Sequence, residues 1–348
     1  MKEKKVLNNI ALIRPILVFL LVFYHAFAPY SGGWEPIDGF PDVPAYWWMD
    51  KLSYAFMLEM FVLVSGYVFG FQVRTKGECK LEAKSLFWNK TKRLLIPSMF
   101  FSLLYVILIR GVDEQHVSQT IYDIIAGAGH LWFLPMLFWC FVLMWVIEKL
   151  KLRPRVVIPV LLILSMLPQI PVPFHFSHTL YYMLFFYMGY VIQRNEIKYE
   201  KLYTRRAMTT TIMLFVVSFV SLTLLQEWAI TEMGGASLIY KVMMITIVNV
   251  SKVIYSSLGI AMMFSIVGRV ERNKMTSLPR WTIEIGSLSM GGYIFQQFIL
   301  KIIYDNTPSP DIFGVYFLPW FGFAAAFIGS VLLSWVLRKT KVGRALIG

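Results

Sequence analysis

Apolar runs of roughly 20 residues recur along the whole chain, parted by short loops, and that rhythm leaves few folds open. A helix needs about 20 apolar residues to cross about 30 Å of hydrocarbon. Inside lipid, every backbone N–H and C=O must find a partner within the protein, so such runs become helices. Charge is scarce enough to agree: 57% of the 348 residues are hydrophobic and 15% charged, against about 25% charged in a soluble domain. The expected fold class is all-α, a polytopic membrane bundle forming a single transmembrane domain over residues 1–348. Ten spans are expected, near 10–30, 52–73, 94–110, 130–148, 156–171, 178–193, 207–226, 240–267, 286–304 and 312–337. The fifth, VVIPVLLILSMLPQIP, is short and holds Pro159. There is no internal repeat, and the longest loop runs from about 30 to 51.

Positive charge orients such a bundle, because Lys and Arg concentrate on the cytoplasmic side. With ten spans, 27 of the 33 Lys and Arg residues fall on the side of the two termini. The other side holds Lys51, Arg110, Lys241 and Lys301 and most of the acids of the loops, among them Glu35, Asp50, Asp123 and Asp305. Both termini are therefore expected in the cytoplasm. This bias also explains most of the net charge of +13, so no nucleic-acid partner is needed. Lys2, Lys4 and Lys5, an apolar run and then Ala26–Ala28 imitate a cleavable signal peptide. The run is too long, Arg14 interrupts it and Pro29 would follow the cut, so it is expected to stay as the first helix. The cysteines, Cys79 and Cys140, offer no disulfide framework, and no metal site is expected.

Ionisable groups inside spans are costly and mark either paired structure or function. The first span, RPILVFLLVFYH, carries Arg14 and His25. Eleven residues are almost three helical turns, which sets both side chains on one face about 16 Å apart along the axis. Arg14 lies towards the cytoplasm and His25 towards the outer leaflet. Snorkelling of Arg14 and an interhelical hydrogen bond from His25 would explain them without function. Pro15 either kinks the helix or marks the start of its regular part. Glu59 lies in the second span, and Lys252 and Asn249 in the eighth. A structural Glu59–Lys252 pair is one expectation. A polar cavity holding Arg14, His25, Glu59 and Lys252 is the other. Ser65 and Gly66 are read as a small pair for close helix packing, not as a nucleophile site.

Several segments, in order, resemble the acyltransferase 3 family of integral membrane acyltransferases. They are the R-x10-H of the first span, FVLVSGYVFG (Phe61–Gly70), KRLLIP (Lys92–Pro97), GHLWFLPMLFW (Gly129–Trp139), GSLSMGGYIFQQF (Gly286–Phe298) and the tail RKTKVGRALIG. The resemblance spans nearly the whole chain. It departs at Glu59, where a small or apolar residue or proline is common, at Pro15, and at Gln296, where histidine is usual. Glutamine forms hydrogen bonds but does not titrate.

The resemblance implies an enzyme that moves an acyl group, usually acetyl, from acyl-CoA to a hydroxyl of a carbohydrate or lipid-linked glycan. Acyl-CoA is then a co-substrate, and no permanently bound cofactor is expected. The setting is the inner or plasma membrane. Histidine is the natural base near neutral pH, so His25 is the leading catalytic candidate, with Arg14 holding the donor. Lys90, Lys92 and Arg93 are candidates for the phosphates of coenzyme A, although the positive-inside bias alone accounts for them. Trp132 and Tyr293 are candidate cavity walls, with Gln296 beside them, and His130 is a candidate second base. His175 and His178 lack a carboxylate or cysteine neighbour, and His116 is a loop residue. Trp34, Tyr46, Trp47 and Trp48 read as an interfacial aromatic belt or as a platform for sugar rings. A transporter or flippase would use the same buried charges, and an inactive family member acting as a scaffold is a third reading, for which Gln296 is the one hint.

Overall fold

A computed structural model describes residues 2–35, 42–112, 116–168, 172–234, 237–274, 280–306 and 316–348. Four further acids of the loops expected on the outer side, Asp38, Asp113, Glu114 and Asp311, lie outside them. Every regular element among the described residues is helical. The helices are α1 Lys2–Phe27, α2 Pro44–Tyr54, α3 Met57–Lys76, α4 Ala83–Lys90, α5 Ile96–Tyr105, α6 Val117–Ala126, α7 Phe133–Lys149 and α8 Pro154–Met166. They continue with α9 Phe176–Arg194, α10 Arg205–Thr231, α11 Leu238–Lys274, α12 Arg280–Ser287, α13 Ser289–Asp305, α14 Leu318–Leu337 and α15 Lys341–Ile347.

Seven helical stretches are long and apolar enough to cross a membrane: Asn9–Tyr30, Pro44–Lys76, Ala83–Arg110, Gly129–Lys149, Arg205–Thr231, Leu238–Glu271 and Leu318–Leu337. The other three expected spans coincide with α8, α9 and α13, which have 13, 19 and 17 residues. On α10 and α14, Met213, Val217, Leu224, Leu332 and Leu333 are exposed. Such a density of bare apolar surface suits lipid, not water.

The chain divides into two units. The first comprises residues 1–10, 55–89 and 136–277. Its centre is the packing of α3 on α9. A Cβ on Gly66 would stand 2.0 Å from the Phe186 carbonyl oxygen, and one on Gly189 would stand 2.1 Å from that of Leu63. The two backbones meet where neither helix has a side chain, which is the close packing expected of the Ser65–Gly66 pair. The Ser65 hydroxyl turns back to the Phe61 carbonyl at 2.9 Å. α10 packs on α11, and Thr204 caps α10 by accepting from the Ala207 N–H at 3.2 Å.

The second unit comprises residues 11–54, 90–135 and 278–348. α1 runs through Pro15 without ending, and it starts well before it, so Pro15 is not a first-turn proline. The expected loop at 30–51 is partly helical: Pro44 opens α2, whose Tyr46 is buried. Proline's fixed φ suits the first turn. The basic KRLLIP segment forms a π-helical turn, Thr91–Leu95, leading into α5. Pro97 has no N–H, and its ring crowds the carbonyl four residues back, so the turn widens ahead of it. The tail helix α15 packs against this turn, and α13 packs along α14.

Candidate functional site

In the second unit, α1 ends in a buried histidine, and the chain then doubles back over it. Phe27 ends α1, and Ala28–Tyr30 forms one 3-10 turn led by Pro29. Gly32, at φ 79°, takes the left-handed turn that favours glycine. The Trp34 N–H then closes on the Ala28 carbonyl at 3.2 Å. The Trp34 ring consequently lies nearly parallel to that of His25, 5.7 Å away. The Lys301 ammonium stands 4.6 Å over the Trp34 ring, and Tyr304 meets Trp34 edge-on at 6.0 Å. Trp34 is thus more than a belt residue.

His130 faces His25 with ring centroids 6.2 Å apart. α13 fixes it by three hydrogen bonds. The His130 ring Nε2 is 3.0 Å from the Ile294 carbonyl, its backbone N–H donates to Gln297 Oε1 at 3.1 Å, and its carbonyl accepts from the Tyr293 hydroxyl. A carbonyl oxygen only accepts, so the hydrogen sits on Nε2 and Nδ1 carries the lone pair of a neutral ring. Positions 293, 294 and 297 share one helix face, which is why one turn of α13 holds His130 from several sides. Gln296, on the same turn, is within side-chain hydrogen-bonding reach of His25.

The electrostatic character of this cluster is unfilled polarity. His25 is 7% exposed, His130 6% and Gln296 0%. His25 Nδ1, His130 Nδ1 and both amide atoms of Gln296 are buried without a hydrogen-bond partner among the described residues. Buried polar atoms are nearly always paired, so a group of unpaired ones asks for an explanation.

The other expected residues are distributed as follows. Arg14 is half-buried on α1, and no carboxylate pairs with it among the described residues. Its Cβ stands 3.7 Å from where a Gly286 Cβ would be, so α12 comes close at that level. Lys92 and Arg93 are exposed on the π turn and Lys90 is half-buried at the end of α4. Tyr293 anchors His130, and the Trp132 ring meets Phe133 edge-on.

Glu59 and Lys252 belong to the first unit, whereas Arg14 and His25 belong to the second. The expected pair is present, with Lys252 Nζ 3.5 Å from Glu59 Oε1. The Tyr181 hydroxyl donates to the same oxygen at 3.0 Å, and Lys252 stands 5.5 Å from the Tyr181 ring centre. Asn249 does not join this set; it donates to the Leu167 carbonyl at 2.9 Å.

Three residues at these sites escaped the sequence reading. Tyr181 had no signal beyond being one of many tyrosines. Gln297 could have been found by its i+4 spacing from Tyr293. Asp50, counted only as an outer acid, is 2% exposed with Oδ1 unpartnered.

An all-helical chain with several membrane-length apolar helices and a buried histidine cluster defines a multi-pass membrane protein with a polar site. The family model Acyl_transf_3, described as an acyltransferase domain, matches residues 7–339, and the chain belongs to that acyltransferase family. No curated protein and no solved structure matches it.

Proposed function

We propose that this membrane acyltransferase moves an acyl group, with acetyl the first choice, from cytosolic acyl-CoA to a hydroxyl of a carbohydrate or lipid-linked glycan at the plasma membrane. The observation that carries this reading is the Nδ1 of a buried His25, without a hydrogen-bond partner among the described residues, beside two other unfilled groups. A general base must have a free lone pair within reach of the proton it takes. His25 removes the proton of the acceptor hydroxyl as its oxygen attacks the thioester carbonyl. His130, locked as the Nε2–H tautomer, presents Nδ1 to a neighbouring hydroxyl of the same acceptor, which suits a polyol. Trp34 walls the site by stacking on His25. Arg14, half-buried and without a carboxylate partner among the described residues, serves the anionic donor, and Lys90, Lys92 and Arg93 gather its phosphates.

Purified protein in liposomes, given labelled acetyl-CoA and a panel of glycans, tests this. Label should pass to a glycan with release of free coenzyme A. Glycan flux across the vesicle without acyl transfer would establish a transporter instead. Ten spans with cytoplasmic termini belong to the same proposal: a cysteine placed near Lys80 should resist an impermeant reagent in intact cells, and its labelling would overturn that topology.

A further inference from the structure

The mechanism above uses two of the three unfilled groups at His25. The third is Gln296. It is 0% exposed, and neither its carbonyl oxygen nor its amide nitrogen has a hydrogen-bond partner among the described residues. Leaving both ends of a buried carboxamide empty costs stability. Its neighbours on α13 are by contrast fully engaged, with Tyr293, Ile294 and Gln297 all bonded to His130. That turn is therefore fixed, and it holds Gln296 within reach of the His25 ring. A neutral amide N–H at that place is a hydrogen-bond donor that does not change with pH.

We infer that Gln296 is a catalytic residue whose Nε2–H donates to the carbonyl oxygen of the acyl thioester and stabilises the oxyanion formed there. This inference rests on the acyl-transfer reading of the same site. The acceptor oxygen bonds to the thioester carbon while its proton passes to His25, and the carbonyl π pair moves onto oxygen. The oxyanion then collapses, the carbon–sulfur bond breaks, and the departing thiolate takes the proton from His25. The products are an ester and coenzyme A. The donor is in place before the charge appears, so it needs no reorganisation during the reaction.

The test uses the full chain in liposomes with acetyl-CoA and the glycan panel, reading free coenzyme A with a thiol reagent. Gln296→Met keeps the shape and removes both polar ends. It should lower kcat by about 10²–10³-fold, the effect of losing one such donor, with the KM for acetyl-CoA little changed. Gln296→His should recover part of the rate and add a titrating limb to the pH profile that the wild type lacks. A Gln296→Met protein that unfolds at the wild-type temperature and turns over at the wild-type kcat would overturn the inference. So would an unchanged maximal rate with a displaced pH profile, because Gln296 would then only orient His25. If the wild type releases no coenzyme A from any short acyl-CoA, the acyl-transfer reading itself fails. If the wild type is active and only the Gln296 effect is missing, that reading stands.

Discussion

The Glu59 cluster of the first unit and the His25 cluster of the second handle buried polarity differently. In the first, one carboxylate oxygen is shared by two donors, and only Glu59 Oε2 is left without a partner among the described residues. Glu59 Oε1 takes both the Tyr181 hydroxyl and the Lys252 ammonium. Gln226 donates to the Val248 carbonyl at 2.8 Å and accepts from the Tyr255 hydroxyl at 3.2 Å. In the second, His25, His130 and Gln296 crowd together and leave their atoms empty. Glu59 and Tyr181 are as deeply buried as His25, His130 and Gln296, so burial does not distinguish the sets. The difference lies in how much of their hydrogen-bonding capacity the fold has already used. A satisfied set holds helices together, and an unsatisfied one is open to something that arrives from outside.

The sharpest way to break this contrast is His25→Ala. Loss of a general base typically costs 10²–10⁴-fold in rate, so transfer should fall by that order while the protein still inserts and unfolds normally. Any residual rate should also lose the pH dependence that a titrating base imposes. Near-normal transfer by the folded variant would place His25 with the structural set. Glu59→Ala should do the reverse. Removing one partner of a buried ion pair strands the other, at about 3–5 kcal/mol, so thermal stability should drop sharply while turnover per folded molecule stays close to wild type. The double change Glu59→Leu with Lys252→Leu should recover much of that stability. A Glu59→Ala protein that is stable but inactive would make the first unit's cluster functional too.

Gly66→Ala probes the first unit without touching charge. The added methyl would stand 2.0 Å from the Phe186 carbonyl, and α3 and α9 must part to admit it. Overpacking of this kind costs about 1–3 kcal/mol, read as a lower unfolding temperature with unchanged kcat. The smallest effect is expected from Arg93→Ala. Arg93 is exposed on its π turn, where charge attraction is screened over about 8 Å at physiological salt. The KM for acyl-CoA should rise modestly, and the rise should vanish in high salt. A salt-independent rise would mean a desolvated contact instead.

What the sequence made legible was local. Helical periodicity sets Arg14 and His25 on one face, and hydropathy marks the span that carries Glu59. The Glu59–Lys252 pair followed from charge balance, since an isolated charge in a span demands a partner. The surroundings of His25 were not legible, because they are made across the chain. His130 and the α13 residues that hold it are separated by 163 to 167 positions, and no spacing rule reaches that far. Trp34 was seen as one of several interfacial aromatics; its stacking on His25 depends on a turn through Gly32. The helix Pro44–Tyr54 was read as loop because its polar residues mask a short helical pattern.

One further feature bears on how the protein meets its bilayer. α11 is 37 residues long, about 55 Å at 1.5 Å per residue, whereas the hydrocarbon layer is about 30 Å thick. It must lean, protrude or both. Towards its end, Arg269 and Glu271 are half-buried, and the helix packs on the turn Glu200–Tyr203, so the protein itself holds that end. Lys252 lies inside the apolar stretch and is tied to Glu59, which pins the helix at one depth. Membrane thickness therefore acts on α11 as on a rod fixed at a pivot: a thin bilayer tips it over, and a thick one draws it upright.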